Sequence, residues 1–241
     1  MLAQIVLFDG FDPLDVIAPF EVLAAGADFL AATPDSPAAT GSATDGAHSD
    51  PATRTGLSPA GGALEVRLVS ADGPGPVVSG TLGLALHATA HLDPTRPGFV
   101  IVPGASGPTD GDPDEGDVTI PVLLSRFADS PAIERIRTAF ADPDVTVATV
   151  CGGSLALAMA GLIEGRHAVT HTLGLDVLEA TGVRVVRARV VDDGDFVSAG
   201  GVTSGLDLGL YLLERAFGPQ IAHAVETLFE YERRGVVWRA A

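Results

Sequence analysis

The chain contains no lysine: its 14 basic side chains are all arginine, set against 31 Asp and Glu for a formal net charge of −17 over 241 residues. That balance excludes nucleic-acid binding through the overall field, because a polyanion is held by an excess of cations. There is one cysteine, Cys151, so no disulfide can close within the chain. A reducing, cytoplasmic setting suits that economy. One cysteine cannot build a thiolate cluster, and the six histidines show no metal-ligand spacing, so neither a metal nor a cofactor is expected. Val145 to Ile163 is uncharged and approaches transmembrane length, but Cys151-Gly152-Gly153-Ser154 interrupts it. A buried strand, a turn and a buried helix account for it better, and no membrane partner is expected. The opening "MLAQIVLFDGFDPLD" has no basic stretch of the signal-peptide kind and reads as a first strand.

The acidity resembles that of proteins adapted to a high-salt cytosol, where screening weakens repulsion among surface carboxylates. GC-rich codon use explains the missing lysine but accounts less well for the acidity.

Hydrophobic residues make up 46% of the chain, enough for a sizeable core. The pattern predicts one α/β domain over 1–241, with a polar, flexible insertion at 33–62 that carries no chemistry. Apolar runs at "LAQIVLF", "LEVRLVS", "GFVIVPGAS" and "VTVATV" read as strands. Helical spacing follows Pro19, which is placed in a first helical turn, and Ser130 and Pro131 mark another helix start. "SLALAMAGLIEG" reads as a helix closed by Gly165, and "HAVTH" as a short strand ending at His171. Strands alternating with helices imply a mostly parallel sheet covered on both faces. Ligands of such sheets sit beyond the carboxyl ends of the strands, so the turns after Phe8, Val102 and Val150 are the places to look.

Cys151 opens one of those turns. Helix-opening N–H groups and the helix dipole are expected to favour its thiolate, and the glycines suit a strained elbow. The amide of Gly152 could hold an oxyanion. Packing remains the competing reading, because free cysteine is among the most buried residue types. Asp15, placed in the first loop, and Glu21, one turn into the helix, are carboxyl groups that could serve the thiol; turn former and surface residue are their alternatives. Gly104 and Ala105 offer a second turn amide, and His171 a general base. The acidic run Asp110 to Asp117 has half the look of a calcium loop, but its glycine is one position late and Pro121 replaces the required Glu.

Taken together, "QIVLFDGFDPLDVIAPFEVL", "FVIVPGAS", "VATVCGGSLALAMAGLIEGRHAVTH" and "FVSAGGVTSGLDLGLYLLERAFG" resemble the DJ-1/PfpI (ThiJ) superfamily. The similarity is greatest to the branch of isocyanide hydratases and AraC-type sensor domains. The resemblance implies a flavodoxin-like, class I glutamine-amidotransferase-like fold and a homodimer. It implies a small-molecule substrate, with Cys151 as nucleophile, Asp15 as acidic partner, His171 as the histidine after the next strand, and Gly152 with Gly104 as oxyanion donors. Hydration of an isocyanide is the specific expectation. Glyoxalase-like or deglycase-like chemistry, and a non-catalytic cysteine sensor of redox stress, are the alternatives.

Overall fold

The computed structural model describes residues 1–32, 64–112 and 115–240, so the 33–62 insertion lies outside the described residues. The first half of the chain runs β1 (Leu2–Val6), α1 (Pro13–Ala32), β2 (Glu65–Ser70), β3 (Gly75–Val78), β4 (Ala85–Ala88), β5 (Ala90–His91) and β6 (Gly98–Val102). Next come α2 (Ile120–Ala128), α3 (Ala132–Phe140), β7 (Val145–Val150), α4 (Gly153–Met159), β8 (His167–Ala168) and α5 (Leu175–Ala180). The last part is β9 (Arg184–Val185), β10 (Val190–Asp192), β11 (Phe196–Ala199), α6 (Ser204–Phe217), α7 (Pro219–Phe229) and β12 (Trp238–Arg239).

Among the described residues, eight strands form one sheet in the order β12-β10-β11-β7-β6-β1-β2-β5. Every neighbouring pair is parallel except β10 and β11, which form a hairpin around Asp193-Gly194. The strands β1 and β6 are buried along their whole length, as near-continuous apolar runs in a doubly covered parallel sheet should be. Alternation sends Ala3, Ile5, Phe99, Ile101, Ala148 and Val150 to the face under α1, α6 and α7. Val6, Val100, Val102, Val145 and Val147 go to the opposite face, under α2, α3 and α4. No helix among the described residues is long and apolar enough to cross a membrane.

Three local expectations are corrected. Helix α1 begins at Pro13, with Pro19 in its interior. Asp12 Oδ1 accepts the Leu14 N–H at 2.9 Å and caps the helix six residues earlier than Pro19 suggests. Ser130 makes no capping bond, and its hydroxyl has no partner. Helix α4 ends at Met159, because Gly161 takes a left-handed φ of 69° well before Gly165.

Helices α1 and α6 approach closely through glycines. A Cβ at Gly209 would lie 2.8 Å from Val22 Cγ1, and one at Gly26 would lie 2.4 Å from Leu213 Cδ2. Gly209→Val should therefore destabilise the fold by roughly 2 kcal/mol through overpacking, more than its helix-propensity gain of about 0.5 kcal/mol restores. Urea unfolding followed by circular dichroism should show a lower midpoint at unchanged slope; an unchanged midpoint would contradict close α1–α6 packing.

Candidate active site

The turns after β1, β6 and β7 meet at the carboxyl edge of the sheet. Their contact is set by backbone. A Cβ on Gly104 would lie 2.6 Å from Gly152 N and 2.9 Å from Asp15 Oδ2, and one on Gly153 would lie 2.3 Å from the Val102 carbonyl. Only glycine lets the two turns touch without displacing main chain.

Cys151 stands on this elbow with φ of 55°, a left-handed conformation that costs a side-chain-bearing residue on the order of 1 kcal/mol. Neighbouring bonds hold it there. Its N–H is shared by the carbonyls of Ala199 at 3.1 Å and Gly200 at 3.0 Å. Its carbonyl accepts the Thr170 hydroxyl at 2.7 Å. Behind it, the Thr149 and Ser154 hydroxyls meet at 2.6 Å, and Ser154 donates to the Val169 carbonyl at 2.8 Å. Cys151 is 8% exposed. The N–H groups of Gly152 and Val202 face its sulfur.

Asp15 is fully buried, in the first turn of α1 and not in a loop. Its Oδ2 accepts the Gly104 N–H at 2.9 Å, while Oδ1 has no partner at hydrogen-bonding geometry. The Cys151 thiol interacts with the same carboxyl. Burial, then the Asp12 charge, pushes the Asp15 carboxyl up to about 8, against the opposing pull of the Gly104 amide and the thiol. Burial, then the Asp15 charge, pushes the Cys151 thiol up to about 12. The expected thiolate is thus corrected to a thiol. Helix α4 has only seven residues, and the two facing amides are outweighed by desolvation.

The other expected members fall differently. Gly152 has its amide at the sulfur. Gly104 does not offer an open oxyanion donor, since its N–H is taken by Asp15. Ala105 is buried in an antiparallel bridge with Phe11 that ties the two turns together. His171 caps the 3-10 turn Thr172–Gly174, its Nδ1 accepting the Leu173 N–H at 3.2 Å, which leaves the neutral ring's proton on Nε2. The ring packs over Gly201, where a Cβ would lie 2.3 Å from Cδ2. It is not among the groups acting most strongly on the thiol. Glu21 is exposed in the middle of α1. No group of three or more His, Cys, Asp or Glu that could hold a metal occurs among the described residues. Sequence reasoning missed Val202, Thr170 and Asp12. Gly200-Gly201 ahead of Val202 was the available signal, since it marks a second irregular turn at the same sheet edge.

Comparison with known proteins places these features in context. The DJ-1/PfpI family model matches residues 123–215. An isonitrile hydratase of Pseudomonas putida is 41% identical over 85 residues, covering 35% of this chain and 37% of that protein. The HTH-type transcriptional regulator CdhR of Pseudomonas aeruginosa is 28% identical over 164 residues, covering 67% of this chain and 44% of the regulator. The chain thus spans less than half the length of these curated relatives. Among solved structures, a ThiJ/PfpI family protein from Pseudomonas syringae superposes with a TM-score of 0.67 at 21% identity, over 97% of this chain and 76% of that one. Drosophila melanogaster DJ-1beta gives 0.68 at 13% identity, over 96% and 98%.

Unfolding returns Asp15 to its ordinary range, so the folded form holds a proton that the unfolded form releases. Wild-type stability should therefore fall, relative to Asp15→Asn, as pH rises from about 4 to about 8. The difference in urea midpoint between the two proteins should be small near the lower limit and largest above the upper one. A difference independent of pH over that range would refute a raised Asp15.

Proposed function

The chain belongs to the DJ-1/PfpI superfamily, and on that premise we propose that it is a cysteine-dependent hydro-lyase that adds water to a small electrophile, in the manner of isonitrile hydratase. A cytoplasmic homodimer is part of this reading. The observation that carries it is the pairing of a buried thiol with a buried carboxyl, and burial raises the hold of both on their protons. Forming a free thiolate here is costly, so the favoured substrate is one whose reacting carbon accepts a proton as sulfur attacks. The terminal carbon of an isocyanide carries a lone pair and meets that need.

In the first step, Asp15 gives its proton to that carbon, the Cys151 sulfur bonds to the same carbon, and the thiol proton passes to Asp15. The product is a thioimidate, R–N=CH–S–Cys. In the second step, water adds to the carbon and a proton reaches nitrogen. The C–S bond then breaks, releasing the N-substituted formamide and restoring the thiol. The Gly152 and Val202 amides suit the charge that builds on sulfur in both steps.

Carbonyl chemistry of the glyoxalase kind is less well served, because the Gly104 amide that would share an oxyanion is already engaged. Peroxide sensing is disfavoured by a thiol pushed up to about 12. The regulator relatives favour a second reading, in which the same site recognises a small molecule without turning it over.

A screen of isocyanides and methylglyoxal, with formamide or lactate as the measured product, tests the proposal. Cys151→Ser should lose activity by a factor on the order of 1000 or more while keeping its fold. Full activity in that variant would overturn the reading, and binding without product in the wild type would support recognition alone.

A further inference from the structure

Asp12 is not used in the chemistry above, yet it borders the site. Its N–H donates to the Gly104 carbonyl at 2.9 Å, while Asp15 Oδ2 accepts the Gly104 N–H at 2.9 Å. Gly104 is thus gripped by both aspartates, and its other side rests on Gly152 at the elbow. The Asp12 side chain is half-buried and pinned by the Leu14 N–H on its Oδ1. Its charge reaches both the Asp15 carboxyl and the Cys151 thiol. No arginine or histidine is among the groups acting most strongly on either one, within the described residues. A carboxylate on the turn that bonds Gly104 next to the elbow, with no arginine or histidine among the groups acting most strongly there, repels a second negative charge across low-dielectric protein that salt screens incompletely.

We infer that Asp12 is a specificity-determining residue that restricts the Cys151 site to uncharged or cationic electrophiles and excludes anionic ones. The inference rests on the hydro-lyase reading for its meaning in turnover and names the substrate class of that site. Electrophiles bearing a carboxylate or phosphate near the reacting carbon fall outside that class.

Cys151 is the only cysteine, and alkylation read on its own peptide by mass spectrometry reports this site apart from slower reaction at histidine and methionine. Iodoacetamide and iodoacetate react identically: a sulfur–carbon bond forms, iodide leaves and the thiol proton goes to buffer. The ratio of their rates at one pH cancels the thiolate fraction and isolates the field. N-acetylcysteine supplies the ratio for a thiol without the protein.

Wild type should favour iodoacetamide over iodoacetate several-fold more than N-acetylcysteine does. Asp12→Asn, which keeps a capping side chain, should reduce that preference by roughly 3- to 5-fold. Asp12→Ser, also a capping residue, serves if the first variant does not fold. An Asp12 variant with the wild-type ratio, or a wild type no more selective than N-acetylcysteine, would overturn the inference. The two proposals fail separately. Selective alkylation without turnover of any isocyanide sinks the hydro-lyase reading alone, whereas turnover with an unchanged ratio sinks only the role of Asp12.

Discussion

The close approach of two stretches of main chain, at Gly104 and Gly152, is the constraint on which the rest of the site depends. Parallel strands β6 and β7 are neighbours in the sheet, so their carboxyl ends emerge side by side. Without side chains at Gly104 and Gly153, the two turns close until Gly104 can reach Asp15 on one flank and the cysteine elbow on the other. The acid and the thiol meet because backbone meets backbone first. The elbow's left-handed residue is then held by bonds from two other segments, at Ala199-Gly200 and at Thr170.

Burial then sets the chemistry. Both ionisable groups are moved toward their neutral forms: burial dominates for each, and the Asp15 charge makes ionisation of the thiol harder still. Such a pair is poorly suited to supplying a free anion and well suited to exchanging a proton with a bound molecule. The unpartnered Oδ1 of Asp15 fits this picture: it is the one oxygen of the carboxyl that the protein has not committed.

The sheet was legible in the sequence because its central strands are apolar and uninterrupted, and because turn residues separate them from the helices. The carboxyl-edge turns were legible for the same reason, and with them Cys151, Gly104 and the region of Asp15. What was not legible depended on contacts between distant segments. No pattern along the chain says that the Gly104 N–H is spent on a carboxylate 89 residues away. Nor does it say that His171 turns its Nδ1 to a local amide. The thiol's protonation was misjudged because motif reasoning weighs nearby N–H groups, whereas the outcome is decided by how completely the folded protein excludes water.

Pro19 has a wider consequence. It has no N–H to return to the Asp15 carbonyl, so the helical ladder of α1 is broken at the turn that carries the acid. The long remainder of the helix is fastened to α6 through its glycine contacts. The turn before the proline is fastened to Gly104. One continuous element therefore has two masters. Its packed length answers to the fit against α6, while the few residues ahead of the proline keep the position that the neighbouring turn dictates.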